Sequence, residues 1–358
     1  MNKKNIVILG ANGQVGIEVC FYLKSFSGVS VTAVLRNEYS ATILKKLDIK
    51  CLFGNLIDDQ DIQAAIEESD VVLDLAGYAT GSVDEVNDFY DKRLKSVISR
   101  MTEDSNYIFA SSMNALGFHS RSTKLRYHFF PTTIYSATKR FAENLSIKLG
   151  KKHNINTFIF RFGEVHGVIQ RSTNEIGKLI DDGYTFVVPD TPSWTIFTYS
   201  IAEALIAVGD KLEEPGIYML VSPYEWSWKE LIEYVAREKQ CSVKVEVTSP
   251  TKINMKYYIN FSKRMLYSFA SKRRDIIRAN FPFLHKFESL MKIKGMTSRV
   301  NNEISIINES YKYFGKSVYQ GRVPGKRIKS ISDIKDTISL HEKSLKIQIE
   351  KLAQLSSE

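Results

Sequence analysis

The heptapeptide GANGQVG, residues 10–16, follows directly on the apolar run NIVIL of residues 5–9, and a stretch with helical periodicity comes after it. A strand, a glycine turn and a helix N-terminus together present unpaired backbone N–H groups and the positive end of a helix dipole, where a pyrophosphate binds. We expect Gly10 to permit the sharp turn, Gly13 to let phosphate approach the backbone, and Gly16 to pack the helix closely on the strand. The stretch therefore predicts a dinucleotide site.

The spacing departs from the dinucleotide fingerprint G-x-G-x-x-G in one place, because Ala11 stands where the second glycine of that pattern is required. A turn that serves packing alone is the alternative interpretation. We assign the cofactor diphosphate to this turn, with the binding residues Gly10, Asn12, Gly13, Gln14, Val15 and Gly16.

The second predicted strand, residues 29–35, ends at Arg36. An acidic residue in this place would hydrogen-bond the adenosine ribose of NAD, whereas an arginine complements the 2′-phosphate of NADP. Arg36 therefore predicts NADP, with NAD as the alternative cofactor. An ordinary solvated arginine at a strand end is the competing interpretation.

The composition is that of a globular protein, with 44% hydrophobic and 25% charged residues in a chain of 358. No apolar run reaches the roughly 18 residues that span a bilayer, and the N-terminal residues lack the features of a signal peptide. The cysteines and histidines show neither metal-ligand nor disulfide spacing. We therefore expect a soluble, cytoplasmic protein without a metal site.

Positive charge is concentrated late in the chain: residues 251–358 hold 22 Lys and Arg against 9 Asp and Glu, whereas residues 1–250 hold 27 against 31. Within this part, residues 252–299 mix cationic and bulky apolar side chains. Such a segment is typical of a membrane-surface helix, a lid or a docking face for an acidic partner, and equally of a solvated face over core residues. No nucleic-acid-binding module accompanies the charge, so nucleic acid is not an expected partner.

Apolar runs bounded by turn residues recur along the first half of the chain. They are residues 5–9, 29–35, 49–54, 70–77, 106–112 and 156–163. Helical periodicity lies between most of them. Continuous apolar strands that alternate with helices predict a parallel sheet covered on both faces, which is a doubly wound, Rossmann-like α/β fold.

Beyond about residue 165 the alternation loosens. Residues 216–222, 227–240 and 241–248 are predicted as strand, helix and strand, and Ser227 with Glu230 forms a capping box for the helix. We therefore divide the chain into a dinucleotide-binding domain, 1–165, and a smaller substrate lobe, 166–358. The lobe returns some segments to the sheet and contains a mainly helical basic insertion at about 252–299.

The pentapeptide YSATK begins a predicted helix, and its i to i+4 spacing places the Tyr135 phenol and the Lys139 ammonium on one face. A nearby ammonium and the positive charge of an oxidised nicotinamide both favour the phenolate, so Tyr135 can exchange a proton with a carbonyl oxygen as hydride is transferred. Ser111 and Ser112 end the strand of residues 106–112, and the carboxyl ends of strands are where ligands bind in open α/β sheets. A hydroxyl there can hydrogen-bond the reacting oxygen.

At this point the sequence resembles the extended branch of the short-chain dehydrogenase/reductase superfamily, which includes nucleotide-sugar epimerases, dehydratases and reductases. The resemblance runs in order along roughly residues 4–250. Besides the glycine turn and YSATK, it rests on GNLIDD, DLAG, ASSMNALG, RFGEVHG, WTIFTYSIAEALIAV and PGIYMLVSPYEWSWKELIEYVA.

The resemblance implies that Tyr135 is the general acid/base, that Lys139 tunes it and binds the nicotinamide ribose, and that Ser112 orients the carbonyl, with Ser111 as its rival. Ala76 and Gly77 are implied to pass beneath the cofactor, and Asn55 with Leu56 or Asp58 to border the adenine. The segment 163–166, which includes Val165, is implied to line the nicotinamide together with Phe162. The implied substrate contacts are Met113, Asn114, Glu164, His166 and Trp194.

Departures from the family pattern narrow the reaction. Met113 and Asn114 replace the acidic pair of dehydratases, so elimination of water is disfavoured. Glu164 replaces an asparagine and is either a second acid/base, an acceptor for a substrate hydroxyl or the partner of Arg161 in a salt bridge. Trp194 stands where an arginine often meets a sugar-nucleotide diphosphate, which weakens that substrate class.

The leading interpretation is an NADP-dependent oxidoreductase that reduces a ketone or oxidises a secondary alcohol on a polar substrate, with a nucleotide-linked sugar as the leading class. A nucleotide-sugar epimerase with tightly bound NAD is the first alternative, and a non-catalytic NADP-sensing regulator is the second. The family habit implies a homodimer. We also expect residues 252–299 to make a weak contact with a membrane surface or an acidic partner.

Overall fold

The computed structural model describes residues 3–77, 83–116, 134–190, 193–222 and 226–248. The basic segment 252–299, with the membrane or acidic-partner contact expected of it, lies outside the described residues. Within the described ranges, no helix combines the length and apolarity required to cross a bilayer.

Seven strands form the central sheet, in the order β10-β6-β5-β4-β1-β2-β3, and every pairing in it is parallel. These strands are β1 (Lys4–Leu9), β2 (Val29–Leu35), β3 (Lys50–Phe53), β4 (Val71–Asp74), β5 (Asn106–Ser112), β6 (Asn156–Phe162) and β10 (Gly216–Leu220). Four shorter strands form two small sheets: β7 (Glu164–His166) with β9 (Thr195–Phe197), and β8 (Phe186–Pro189) with β11 (Val245–Thr248).

Helices connect the strands. They are α1 (Gln14–Ser25), α2 (Thr42–Lys46), α3 (Gln60–Glu67), α4 (Val83–Ile98), α5 (Ile134–His153), α6 (Arg171–Asp181), α7 (Thr198–Gly209) and α8 (Trp228–Glu238). Short 3-10 turns cover Glu38–Ala41 and Met113–Leu116.

The sheet is buried on both faces because its strands are apolar at successive positions. In β1, Ile6 and Ile8 join a core cluster that α1 and α7 cover, whereas Val7 and Leu9 join a second cluster that α3, α4 and α5 cover. Side chains alternate between the two faces of a strand, so a continuous apolar run supplies both clusters. The predicted doubly wound parallel sheet is confirmed.

The glycine turn is shaped by two close approaches. Gly10 has φ +74°, and a Cβ built on it would lie 2.8 Å from the Cα and N atoms of Ala76 at the end of β4. A Cβ on Gly16 would lie 2.7 Å from the backbone of Ala11. Gly16 therefore packs α1 against the turn itself rather than against the strand, and the small Ala11 side chain is completely buried there.

The second lobe has its own core. Ile180, Val188, Phe197 and Trp226 pack with the buried face of α8. Ser227 and Glu230 form the predicted capping box at the start of α8, with the Ser227 N–H donating to Glu230 at 2.8 Å. The boundary predicted at residue 165 stays a prediction, although β10 extends the central sheet beside β6 and α7 packs on α1.

A buried carboxylate joins the two parts. Glu18 of α1 accepts hydrogen bonds from the Ile169 N–H at 2.6 Å and the Gln170 amide at 3.2 Å, and from the Thr198 hydroxyl at the start of α7. Burial raises the pKa of Glu18, and these donors partly offset the effect. The first helix is thus fixed to the segment that leads into α6.

We expect Gly10→Ala to destabilise the fold by about 3 kcal/mol or more, since the new Cβ meets the Ala76 backbone and the left-handed φ is strained. Gly28→Ala is the matched control, because Gly28 has φ +75° but nothing within 4 Å of a Cβ. That variant should lose only about 1–2 kcal/mol of backbone strain. Denaturant unfolding measures both, and equal losses would show that the Ala76 contact is unimportant.

Candidate active site

The carboxyl ends of the parallel strands bring the predicted site residues to one edge of the sheet. Gly10 follows β1, Arg36 follows β2, Ala76 lies just after β4, Ser112 ends β5 and Gly163 follows β6. β1 and β4 are neighbours, and the strand order runs in opposite directions on either side of them. Such a switch point is where ligands bind in open α/β sheets.

The N-terminus of α1 fits a diphosphate. Gly13 is the N-cap residue of α1, and no side-chain hydrogen bond caps the helix at this position in the described part of the chain. The nearest described atom to a Cβ on Gly13 would be the Gly10 carbonyl oxygen at 3.5 Å, so the surroundings of Gly13 are open. Asn12 and Gln14 are exposed, and the Gln14 side chain accepts a hydrogen bond from the Arg171 N–H at 3.1 Å. Val15 packs partly against the core.

The adenosine side of this edge carries Arg36 and the turn after β3. The Arg36 side chain is exposed. Asn55 shapes the turn, since its amide donates to Asp58 at 2.7 Å and its carbonyl oxygen accepts from the Ile57 N–H at 3.2 Å. Leu56 packs partly against the core cluster under α4. The residues predicted to border the adenine therefore share one turn.

Beneath the glycine turn, Ala76 is held by a buried ion pair that the sequence analysis missed. Asp74 and Arg93 are 3.0 Å apart, with side-chain exposures of 0% and 2%. The Asp74 carboxylate accepts from the Ala76 N–H at 3.1 Å, and the Arg93 guanidinium donates to the Ala76 carbonyl. Gly77 is exposed next to it. A signal was present in the sequence: Asp74 ends an otherwise apolar run, and Arg93 lies on the apolar face of α4.

Lys139 is buried under the sheet edge. Its ammonium donates to the Ala110 carbonyl at 2.7 Å and lies 5.9 Å from the centre of the Tyr135 ring. Burial and the nearby Arg93 guanidinium lower the pKa of Lys139 to about 8, while Asp74 and Glu143 act in the opposite direction. The i to i+4 spacing thus places the two groups as predicted.

Tyr135 and Ser112 are joined by a hydrogen bond between their side chains. The sequence analysis expected neighbouring charge to favour the phenolate, but burial raises the pKa of Tyr135 and the Ser112 hydrogen bond offsets this only in part. About half of the Tyr135 surface is exposed. The loss of hydration therefore acts at the hydroxyl end, which lies against Ser112.

Ser111 points to a different partner. Its hydroxyl donates to the Glu143 carboxylate at 2.5 Å, and Arg161 binds the same carboxylate through two contacts of 2.9 and 2.6 Å. All three side chains are buried. Successive residues of a strand face opposite sides, which separates Ser111 from Ser112. Arg161, suggested as a partner of Glu164, forms its buried ion pair with Glu143.

Two of the predicted substrate residues meet beside Ser112. Trp194 packs with Met219 and Val221, and Met113 lies against this cluster. Trp194 has φ +51°, and its carbonyl accepts from the Glu164 N–H at 2.9 Å. Asn114 is exposed, and its N–H donates to the Ser112 hydroxyl at 3.2 Å. Met113 and Trp194, two of the predicted substrate residues, therefore share one small apolar cluster.

The residues predicted to line the nicotinamide differ in exposure. Phe162 and Val165 contact the main core cluster, and His166 is buried with its ring 3.0 Å from the Thr173 hydroxyl. Glu164 is half-buried and accepts from the Ser172 hydroxyl at 2.9 Å. The described part of the chain contains no group of three His, Cys, Asp or Glu side chains able to hold a metal ion.

Solved structures share this architecture. A UDP-N-acetylglucosamine 4-epimerase from Methanobrevibacter ruminantium, in complex with UDP-N-acetylmuramic acid, matches with a TM-score of 0.55 and 19% identity over 70% of this chain and 86% of its own. A UDP-glucuronic acid 4-epimerase from Bacillus cereus, in complex with UDP-glucuronic acid and NAD, matches with a TM-score of 0.53 and 15% identity over 68% and 86%. A dTDP-glucose 4,6-dehydratase from Bacillus anthracis, in complex with NAD, has a TM-score of 0.53 and 14% identity over 69% and 84%.

Among curated proteins, an "Uncharacterized membrane protein" from Methanocaldococcus jannaschii is 28% identical over 252 residues, which are 66% of this chain and 71% of the relative. The family model for the NAD dependent epimerase/dehydratase family matches residues 6–184, half of the chain. The resemblance to extended short-chain dehydrogenases/reductases is thereby confirmed. This protein belongs to the NAD dependent epimerase/dehydratase family and is an NAD(P)-dependent enzyme of the oxidoreductase type.

Proposed function

We propose that the protein transfers hydride between NADP and the carbon of a secondary alcohol or ketone, with a nucleotide-linked sugar as the leading substrate class. One observation carries the proposal: Ser112, Tyr135 and Lys139 lie together at the sheet edge that also bears the open glycine turn. A protein that only sensed the cofactor would have no need of all three side chains.

The chemistry proposed for each side chain is the one that the family resemblance implies. The Ser112 hydroxyl donates to the substrate oxygen, and Tyr135 takes the hydroxyl proton of an alcohol or returns it to a carbonyl. Lys139 binds the nicotinamide ribose through its ammonium and favours the phenolate by charge. The cofactor, when bound, supplies the acceptor or donor of the hydride that leaves or enters the same carbon.

The preference for NADP rests on Arg36. It is exposed directly after β2, and the acidic residue nearest in sequence, Glu38, forms an ion pair with Lys45. The position directly after the strand thus offers a guanidinium, and not a carboxylate, to the ribose. NAD is the alternative, since the two bacterial neighbours described above were solved with NAD.

A nucleotide-sugar epimerase is the second candidate. It oxidises and re-reduces one carbon without releasing the cofactor, so the same Ser112, Tyr135 and Lys139 serve both half-reactions. The family match and the two UDP-sugar 4-epimerase neighbours favour it. The two candidates differ in whether NADPH is consumed, which is what the assay below measures.

We expect Tyr135→Phe to lower turnover by at least about 100-fold, because the general acid/base is lost. The assay incubates the protein with NADPH or NAD and a panel of UDP- and dTDP-sugars, and follows both NADPH absorbance and sugar interconversion by chromatography. Tyr184→Phe, which changes an exposed tyrosine beyond α6, is the control and should keep full activity. Net NADPH loss supports the reductase, interconversion without it supports the epimerase, and undiminished turnover by the Tyr135 variant contradicts both.

Ser111 and Ser112 should separate into a structural and a catalytic role. Ser112→Ala is expected to lower kcat by about 10- to 100-fold with little change in stability, because its hydroxyl meets the substrate oxygen. Ser111→Ala is expected to cost about 1–3 kcal/mol of unfolding free energy, since the buried Glu143 carboxylate loses a donor. Kinetics and denaturant unfolding of the same two variants test this. The reverse pattern would assign catalysis to Ser111.

Arg36→Ala should weaken NADPH binding by about 10-fold or more and leave NADH binding nearly unchanged, because only NADPH carries the 2′-phosphate. Lys50→Ala is the matched control, since it removes the same charge from the amino end of the neighbouring strand β3. Fluorescence titration of both cofactors gives the dissociation constants. Equal losses for NADPH and NADH in the Arg36 variant would rule out this preference.

A further inference from the structure

The ion pair of Asp74 and Arg93 binds both backbone polar groups of one residue, Ala76. The carboxylate holds the Ala76 N–H and the guanidinium holds the Ala76 carbonyl, while the Tyr107 hydroxyl donates to Asp74 at 2.7 Å. Ala76 is the residue whose backbone lies against Gly10. The pair therefore ties α4 to the backbone that the glycine turn contacts.

Stability alone does not account for such a pair. Both side chains are withdrawn from water, and the cost of removing two charges from solvent commonly equals or exceeds the attraction between them. Neutral amides of similar shape would keep hydrogen bonds to Ala76 and Tyr107 without the cost of burying two charges. The charges themselves therefore indicate a further role.

The Arg93 guanidinium lies close to Lys139 as well. Both cations lie against the same ring: the Arg93 guanidinium carbon is 4.9 Å and the Lys139 ammonium 5.9 Å from the centre of the Tyr90 ring. Among the described residues, the charged and titratable groups facing Lys139 are Arg93 and Tyr90 from α4, Asp74 from β4, and Tyr135 and Glu143 from α5. The Arg93 guanidinium lowers the pKa of Lys139, and the Asp74 and Glu143 carboxylates raise it.

We propose that Asp74 and Arg93 are positioning residues that hold the Ala76 peptide beneath the cofactor and set the charge around Lys139. The inference rests on the proposed function, in which Lys139 binds the cofactor through its ammonium. Arg93 is a fixed cation that lowers the proton affinity of Lys139. The Asp74 carboxylate partly cancels this effect of Arg93. The pair sets the pH at which Lys139 loses its proton, and with it the pH range of cofactor binding.

The test is the pH dependence of NADPH affinity, which needs no knowledge of the substrate. NADPH binding to the unaltered protein should weaken as pH rises through the pKa of Lys139, about 8, because the ammonium is lost. Arg93→Gln removes the opposing cation and should move this weakening to higher pH by about one unit. Asp74→Asn removes the supporting carboxylate and should move it to lower pH. Arg93→Lys keeps a positive charge and should return the profile toward that of the unaltered protein.

The controls separate this inference from the proposed function. If Lys139→Met retains the same pH dependence as the unaltered protein, Lys139 does not bind the cofactor as proposed and the functional assignment fails. If Lys139→Met abolishes the dependence but the Arg93 and Asp74 variants do not shift it in opposite directions, the positioning role is wrong.

Two further variants cover the remaining outcomes. Asp88→Asn with Lys92→Met removes an exposed ion pair from the same helix and should change nothing. The combined variant Asp74→Asn with Arg93→Gln leaves no unpaired buried charge and keeps the test possible if a single variant does not fold. Its profile should lie between those of the single variants, and a displacement beyond either of them would overturn the inference.

Discussion

The contact between Gly10 and Ala76 is the constraint on which the active-site edge depends. Because no side-chain atom separates the two backbones, the turn after β1 lies against the end of β4. The Asp74–Arg93 pair holds the second of these backbones, and the Arg93 guanidinium lies against the same Tyr90 ring as the Lys139 ammonium. The contact between Gly10 and Ala76 therefore links the turn assigned to the diphosphate with the residues proposed to transfer the proton.

The order of the fold could be predicted from local patterns. The run of residues 5–9 supplies two core clusters at once, which is what a strand of a parallel sheet requires. The i to i+4 spacing of Tyr135 and Lys139 predicts that both side chains lie on one face of the helix. In the structure the Lys139 ammonium lies 5.9 Å from the centre of the Tyr135 ring. These features depend on neighbours in sequence, so periodicity is sufficient to find them.

Features that depend on distant partners could not be predicted. The strand pattern does not distinguish Ser111 from Ser112, because the difference depends on which of them meets Glu143, a residue of the following helix. Neighbouring charge predicts a lowered pKa for Tyr135, but burial raises this pKa and only the Ser112 hydrogen bond acts against it. The ion pairs Asp74–Arg93 and Glu143–Arg161 join residues about 20 positions apart, and no sequence period links such pairs.

The Glu18 carboxylate has a consequence for how the cleft can admit a ligand. The helix that begins at the glycine turn is bonded through this group to the backbone before α6 and to the first residue of α7. Rotating the second lobe away from the sheet as a rigid body would separate this carboxylate from its three donors, and each hydrogen bond to a charged group contributes about 1.5–3 kcal/mol. Entry and exit of a substrate are therefore expected to proceed by local rearrangement of side chains and loops, without hinge opening between the lobes.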